Sequence, residues 1–122
     1  DATEADKLPK LFWVNWFRKS DEGKFLWPGF GDNSRVLKWV LERVTGTGDA
    51  TETPIGFVPT ADALDITGLD LGADTLSQLL EVDPVAWKGE VELISNHFDF
   101  IGERLPQKMR EELSALEQRL NG

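Results

Sequence analysis

A chain of 122 residues is one domain, or one domain with an arm. Thirteen basic against 22 acidic residues give a net charge of −9, which excludes a general phosphate-backbone binder, since nucleic-acid binding rests on clustered Lys and Arg. The absence of cysteine excludes a disulfide scaffold, a thiolate metal site, a Cys nucleophile and an iron–sulfur cluster, and it suits a reducing cytoplasm. No apolar run approaches the roughly 20 residues that span a bilayer, and no signal-peptide pattern is visible. A start at Asp1 rather than Met is expected of a processed chain or a piece of something longer.

The charge is uneven. Residues 1–44 carry a net +1 and residues 45–122 a net −10. Phe12, Trp13, Trp16, Phe17, Phe25, Trp27, Phe30 and Trp39 crowd the first part, whereas only Phe57, Trp87, Phe98 and Phe100 lie beyond it. Aromatics with Arg and Lys make recognition surfaces, so function is expected in the first part.

In chain order, residues 1–10 read as a polar arm. Residues 11–17 (LFWVNWF) are aromatic and apolar with one polar residue, Asn15, and predict a buried strand. Ser20, Asp21, Glu22 and Gly23 form a turn with Gly23 free to take positive φ, and residues 24–27 return as a short partner strand. Pro28 and Gly29 break that strand. Asp32, Asn33 and Ser34 are three N-cap candidates for a helix over residues 34–44, whose Val36, Leu37, Val40, Leu41 and Val44 recur at helical spacing. Gly46 and Gly48 end it. Residues 53–59 suggest an edge strand closed by Pro59. Residues 60–72 are irregular or briefly helical, with aspartates in caps and turns rather than at calcium-loop spacing. Residues 73–82 predict a short helix with Leu76, Leu79 and Leu80 inward. Asp83 and Pro84 are an N-cap and a first-turn proline. Trp87, Val91, Ile94, Phe98, Ile101 and Leu105 then form a seam on a long helix, ended by Pro106, and Met109, Leu113, Leu116 and Leu120 repeat the spacing on a last helix. These two helices predict a hairpin with solvated acidic outer faces. The class is α+β and helix-rich, a short β-hairpin followed by about four helices.

Chemistry is sparse. His97 stands alone, without the partners of a metal site or a triad. The phosphate-loop pattern and the dinucleotide glycine pattern are both absent. No carboxylate pair has a neighbour that would tune its proton affinity. No catalytic and no metal-ligating residue is assigned, and the chain alone is not a complete catalyst.

One constellation carries a signal: NWFRKSDEGKFLWPGFGDNSR, residues 15–35. A loop rich in Gly and aromatics runs into a helix start. Its glycines let backbone approach a ligand, and the N–H groups after Gly31 are unpaired helix donors. Phe17, Phe25 and Phe30 lie on two strands and the loop, from which they can converge. Flat rings and backbone edges suit a purine, with Arg18, Lys19 and Arg35 available to its phosphates. Trp13, Trp16, Trp27 and Trp39 read as packing support. A hairpin packed on a helix would look similar, and so would an acidic helical protein-interaction module with no nucleotide role.

Residues 15–37 resemble the C-terminal segment of the GTP-dependent phosphoenolpyruvate carboxykinases, and the similarity continues through Val44 and returns at residues 53–56. The resemblance implies a parent enzyme, cytoplasmic and monomeric, acting in gluconeogenesis. It converts oxaloacetate and GTP into phosphoenolpyruvate, GDP and carbon dioxide with manganese and a second divalent ion. It implies that Phe17, Phe25 and Phe30 surround the guanine base, and that Phe30, Gly31, Asp32 and Asn33 read its edge, with Asn33 nearest. The family usually has Glu at the position of Asp32. The phosphate loop, metal ligands and oxaloacetate-binding arginines belong to regions N-terminal to this segment. The implied organisation is an arm (1–10), a guanine-nucleotide wall (11–59) and an acidic helical tail (60–122). Guanine nucleotide and the remainder of the parent are the implied partners, with no nucleic acid and no membrane.

Overall fold

A computed structural model describes Glu4 and residues 7–122, so half of the expected arm, residues 1–3, 5 and 6, lies outside the described residues. The chain is α+β and mostly helical. Its α-helices are α1 (Asn33–Thr45), α2 (Ala73–Leu80), α3 (Pro84–Ile101) and α4 (Gln107–Asn121). An antiparallel hairpin of β1 (Ala50–Thr53) and β2 (Gly56–Pro59) lies between α1 and α2, so three of the four helices follow it. The residues divide into two compact units. One takes in the chain up to Ala50 with Pro59–Leu80, and the other Thr51–Val58 with Glu81–Gly122.

The first unit is built on α1. Trp39 is buried with Leu64 and Leu76, and Phe12 packs its ring edge-on at 5.9 Å from the Trp39 ring. The Trp39 indole N–H donates to the Asp49 carbonyl at 2.9 Å, so a large apolar side chain is buried with its one polar atom satisfied. Gly46 ends α1 in the left-handed region (φ 83°), where its N–H reaches the Glu42 carbonyl. Lys10 Nζ donates to the Arg43 and Val44 carbonyls at the same end. α2 buries Leu76 and half-buries Leu79 and Leu80, as its spacing predicts. Residues 60–72 are irregular apart from one turn of 3-10 helix, Ala61–Ala63.

The predicted strand over residues 11–17 does not form. Residues 11–15 pair with no strand, and residues 16–17 are a turn. The cause is Asn15, whose Oδ1 accepts the Phe17 N–H at 3.0 Å, closing a side-chain turn on a donor that a ladder would need. Trp13, expected to support packing, is 99% exposed. The predicted partner strand is reduced to one antiparallel bridge, Lys19 with Phe25, beyond a turn in which Gly23 takes φ 79°.

In the second unit, Asp83 Oδ1 accepts the Val85 N–H at 2.8 Å and Pro84 occupies the first turn of α3. α3 stops at Ile101, one turn before the predicted end, because Gly102 turns to positive φ (66°) and a 3-10 turn leads into α4. The two helices pack as a hairpin. Arg110 ties it by donating to the Asp99 carboxylate at 3.2 Å and to the Phe98 carbonyl at the end of α3. Arg119 Nε donates to the Pro54 carbonyl in the β-hairpin turn. Among the described residues, no helix is long and apolar enough to cross a membrane.

Candidate functional site

The singled-out residues all fall in the first unit. Residues 18–26 fold back on themselves. The Leu26 N–H donates to the Arg18 carbonyl and the Ser20 N–H to the Lys24 carbonyl, both at 2.9 Å. This fold-back brings Phe17 and Phe25 together, edge to face with ring centres 6.2 Å apart. Both rings stand largely in solvent, 74% and 59% exposed. Lys19 Nζ lies 4.9 Å from the centre of the Phe25 ring, a cation over an aromatic face. The next residues along the chain, Leu26 and Trp27, are buried. The chain therefore alternates anchors with presented rings.

Gly29 then takes φ 115° and ψ −157°, a conformation open to glycine. It aims Phe30–Asp32, one turn of 3-10 helix, into α1. Phe30 is 95% exposed and, among the described residues, stacks on no other ring, so the structure joins two of the three phenylalanines. The expected free donors after Gly31 are partly spent. The Asp32 N–H reaches the Gly29 carbonyl and the Asn33 N–H the Phe30 carbonyl, because the 3-10 turn closes on them.

Asp32 precedes α1 without capping it through its side chain. Its carboxylate instead accepts from Arg35 Nε at 3.0 Å, while Arg35 Nη1 donates to the Asp65 carbonyl at 2.7 Å. Arg18 Nη1 donates to the Leu79 carbonyl at 3.1 Å. Both arginines, read as available to phosphates, bind the scaffold here. Asn33, also an N-cap candidate, is the first residue of α1, and its Oδ1 accepts the Trp27 indole N–H at 2.9 Å. A groove of about 390 Å³ touches Phe25 without Phe17, Phe30 or Asn33. The arrangement is an exposed wall of rings beside a fixed amide.

Residues 1–119 match the family described as the phosphoenolpyruvate carboxykinase C-terminal P-loop domain. The chain is 50% identical over 117 residues to the phosphoenolpyruvate carboxykinase [GTP] of Renibacterium salmoninarum, covering 96% of this chain and 19% of that protein. It is 50% identical over 119 residues to that of Treponema pallidum (97% and 19%) and 53% identical over 121 residues to that of Neocallimastix frontalis (98% and 20%). The chain belongs to the GTP-dependent phosphoenolpyruvate carboxykinase family. It spans about one fifth of the length of these relatives.

Membership favours the carboxykinase reading over an acidic interaction module. The phosphate-cradling pattern that gives the family domain its description is not within these 122 residues. Nor do the residues fit the manganese that the carboxykinase resemblance implies. Among those described, no three His, Asp or Glu side chains come together as ligands, and Cys is absent. Sequence reasoning named Lys19 and Trp27 but not what they touch. Lys19 over Phe25 was readable only as a charge near rings. The Trp27–Asn33 bond crosses a loop whose path no periodicity encodes.

Proposed function

We propose that this chain supplies one wall of the guanine pocket of a GTP-dependent phosphoenolpyruvate carboxykinase, a cytoplasmic, monomeric enzyme that converts oxaloacetate and GTP into phosphoenolpyruvate, GDP and carbon dioxide. Phe17, Phe25 and Phe30 take the faces of the base, and Gly31, Asp32 and Asn33 its edge. The observation that carries this reading is the pair of exposed, edge-to-face rings of Phe17 and Phe25, next in the chain to buried Leu26 and Trp27. Exposed aromatics are costly unless something covers them, and a purine is flat, apolar on its faces and polar at its rim. The segment contributes positioning and base choice, while charge on the moving phosphoryl group is met by groups outside it. Asp32, engaged with Arg35, leaves the backbone of the loop to meet the nucleotide. The chain alone is inactive on this reading.

In a full-length carboxykinase carrying this chain, Phe17→Ala and Phe30→Ala raise KM for GTP and leave KM for oxaloacetate unchanged. Loss of stacking costs ~1–3 kcal/mol per base. Unchanged KM for GTP in both variants, with the fold intact, refutes the pocket.

A further inference from the structure

We propose that Trp27 sets the nucleotide preference by fixing the orientation of the Asn33 amide. This rests on the guanine-wall reading and assigns a role to a residue that touches no base. An asparagine amide has an acceptor end and a donor end of nearly equal shape, and it can turn over to suit either partner. Here it is not free to do so. The indole N–H is a donor only, so the end of Asn33 that faces it must be the oxygen, and the bond is 2.9 Å long. Trp27 itself is held, being 4% exposed. With Oδ1 committed inward, Asn33 keeps Nδ2, which has no hydrogen-bond partner among the described residues.

The amide therefore turns its N–H donors to a ligand while its oxygen stays on the indole. A purine with an oxo group at position 6 presents an acceptor there, as guanine does, whereas adenine presents an amino donor. A donor facing a donor leaves two polar groups unpaired, the kind of mismatch on which sites discriminate most strongly. Trp27 is thus a positioning residue acting through Asn33. Without its N–H the amide can turn over and accept from a 6-amino group.

The test uses a full-length carboxykinase carrying this chain. Trp27→Phe keeps a buried ring and removes the donor. A second variant replaces the Trp27 indole by benzothiophene, which preserves its shape and lacks the N–H, for use where the smaller ring disturbs folding. The ratio of kcat/KM for GTP over ATP is expected to fall about tenfold in both, the worth of one hydrogen bond. The fall comes from a higher KM for GTP and a lower one for ATP. ITP, which has the 6-oxo group and lacks the 2-amino group, moves with GTP. Asn33→Asp keeps the acceptor for Trp27, has no donor left, and loses the preference for GTP.

Equal rises in KM for GTP, ATP and oxaloacetate overturn the proposal and leave Trp27 a packing residue. An unchanged GTP-to-ATP ratio in both Trp27 variants, beside a lowered ratio in Asn33→Ala, overturns it and leaves the pocket standing. An unchanged ratio in Asn33→Ala removes the pocket as well.

Discussion

Gly48 is buried, and a Cβ placed on it would lie 3.0 Å from the Arg43 amide nitrogen and 3.1 Å from the Glu42 carbonyl carbon. Both are backbone atoms of the last turn of α1 and cannot yield as a flexible side chain would. Gly48→Ala is therefore expected to destabilise the chain by ~1–3 kcal/mol, the usual range for overpacking, read as a lower denaturant midpoint. Asp65 gives a pH signature. Its carboxyl is held below its usual value of 3.8 by the Thr67 hydroxyl first, then by the Thr67 N–H, then by Lys38. A depressed value in the fold means stability that is present above the unfolded value and lost as pH falls through the lower, folded one. Asp65→Asn is expected to flatten the stability-against-pH curve below about pH 4. Acid unfolding followed by tryptophan emission checks it, and an unchanged acid limb would refute the assignment.

What the sequence made legible is what is local. The end of α1 at Gly46 and the start of α3 at Asp83 and Pro84 follow from residues within one turn of each boundary. Asp83→Ala is expected to cost ~1 kcal/mol through the lost bond to the Val85 N–H, while Ala at the uncapped Pro106 position costs less. Comparing the thermal midpoints of the two variants tests this. Strands are a different matter, because their partners lie elsewhere in the chain. β1 reads ATET, with no apolar alternation to announce it, and was missed. Residues 11–17 have strand composition, yet Asn15 captures the Phe17 N–H and residues 11–15 find no partner. The site divides along the same line. The phenylalanines stood out as residue types and Asn33 through the family resemblance, whereas the ties of Arg18 to Leu79 and of Arg35 to Asp65 cross 61 and 30 residues and no local pattern announces them.

For the chain as a whole, charge and exposure pull in opposite directions. Leu11, Trp13 and Phe17 in one unit, and Val85, Leu93 and Phe100 in the other, stand in solvent on a chain of net charge −9. Mutual repulsion keeps such chains apart near neutral pH. That protection vanishes near the isoelectric point of 4.5. The chain is expected to bind an apolar dye at pH 7 and to precipitate as pH approaches 4.5. Trp13→Ser with Leu11→Ser should lower the dye signal without changing helix content. Dye emission and circular dichroism on the same samples decide it, and equal dye binding by the two forms would place the sticky surface elsewhere.

Proteases take their substrates as extended backbone, and residues 11–15 lie in no helix or strand that would have to open first, with Phe12 packed on Trp39 and Trp13 standing out beside it. Chymotrypsin should nick the chain after Trp13 long before it reaches the helices. In a longer carboxykinase that covers the segment, the same peptide bond should survive. The ratio of the two cutting rates then serves as a clock, reporting the fraction of time for which residues 11–15 are let go.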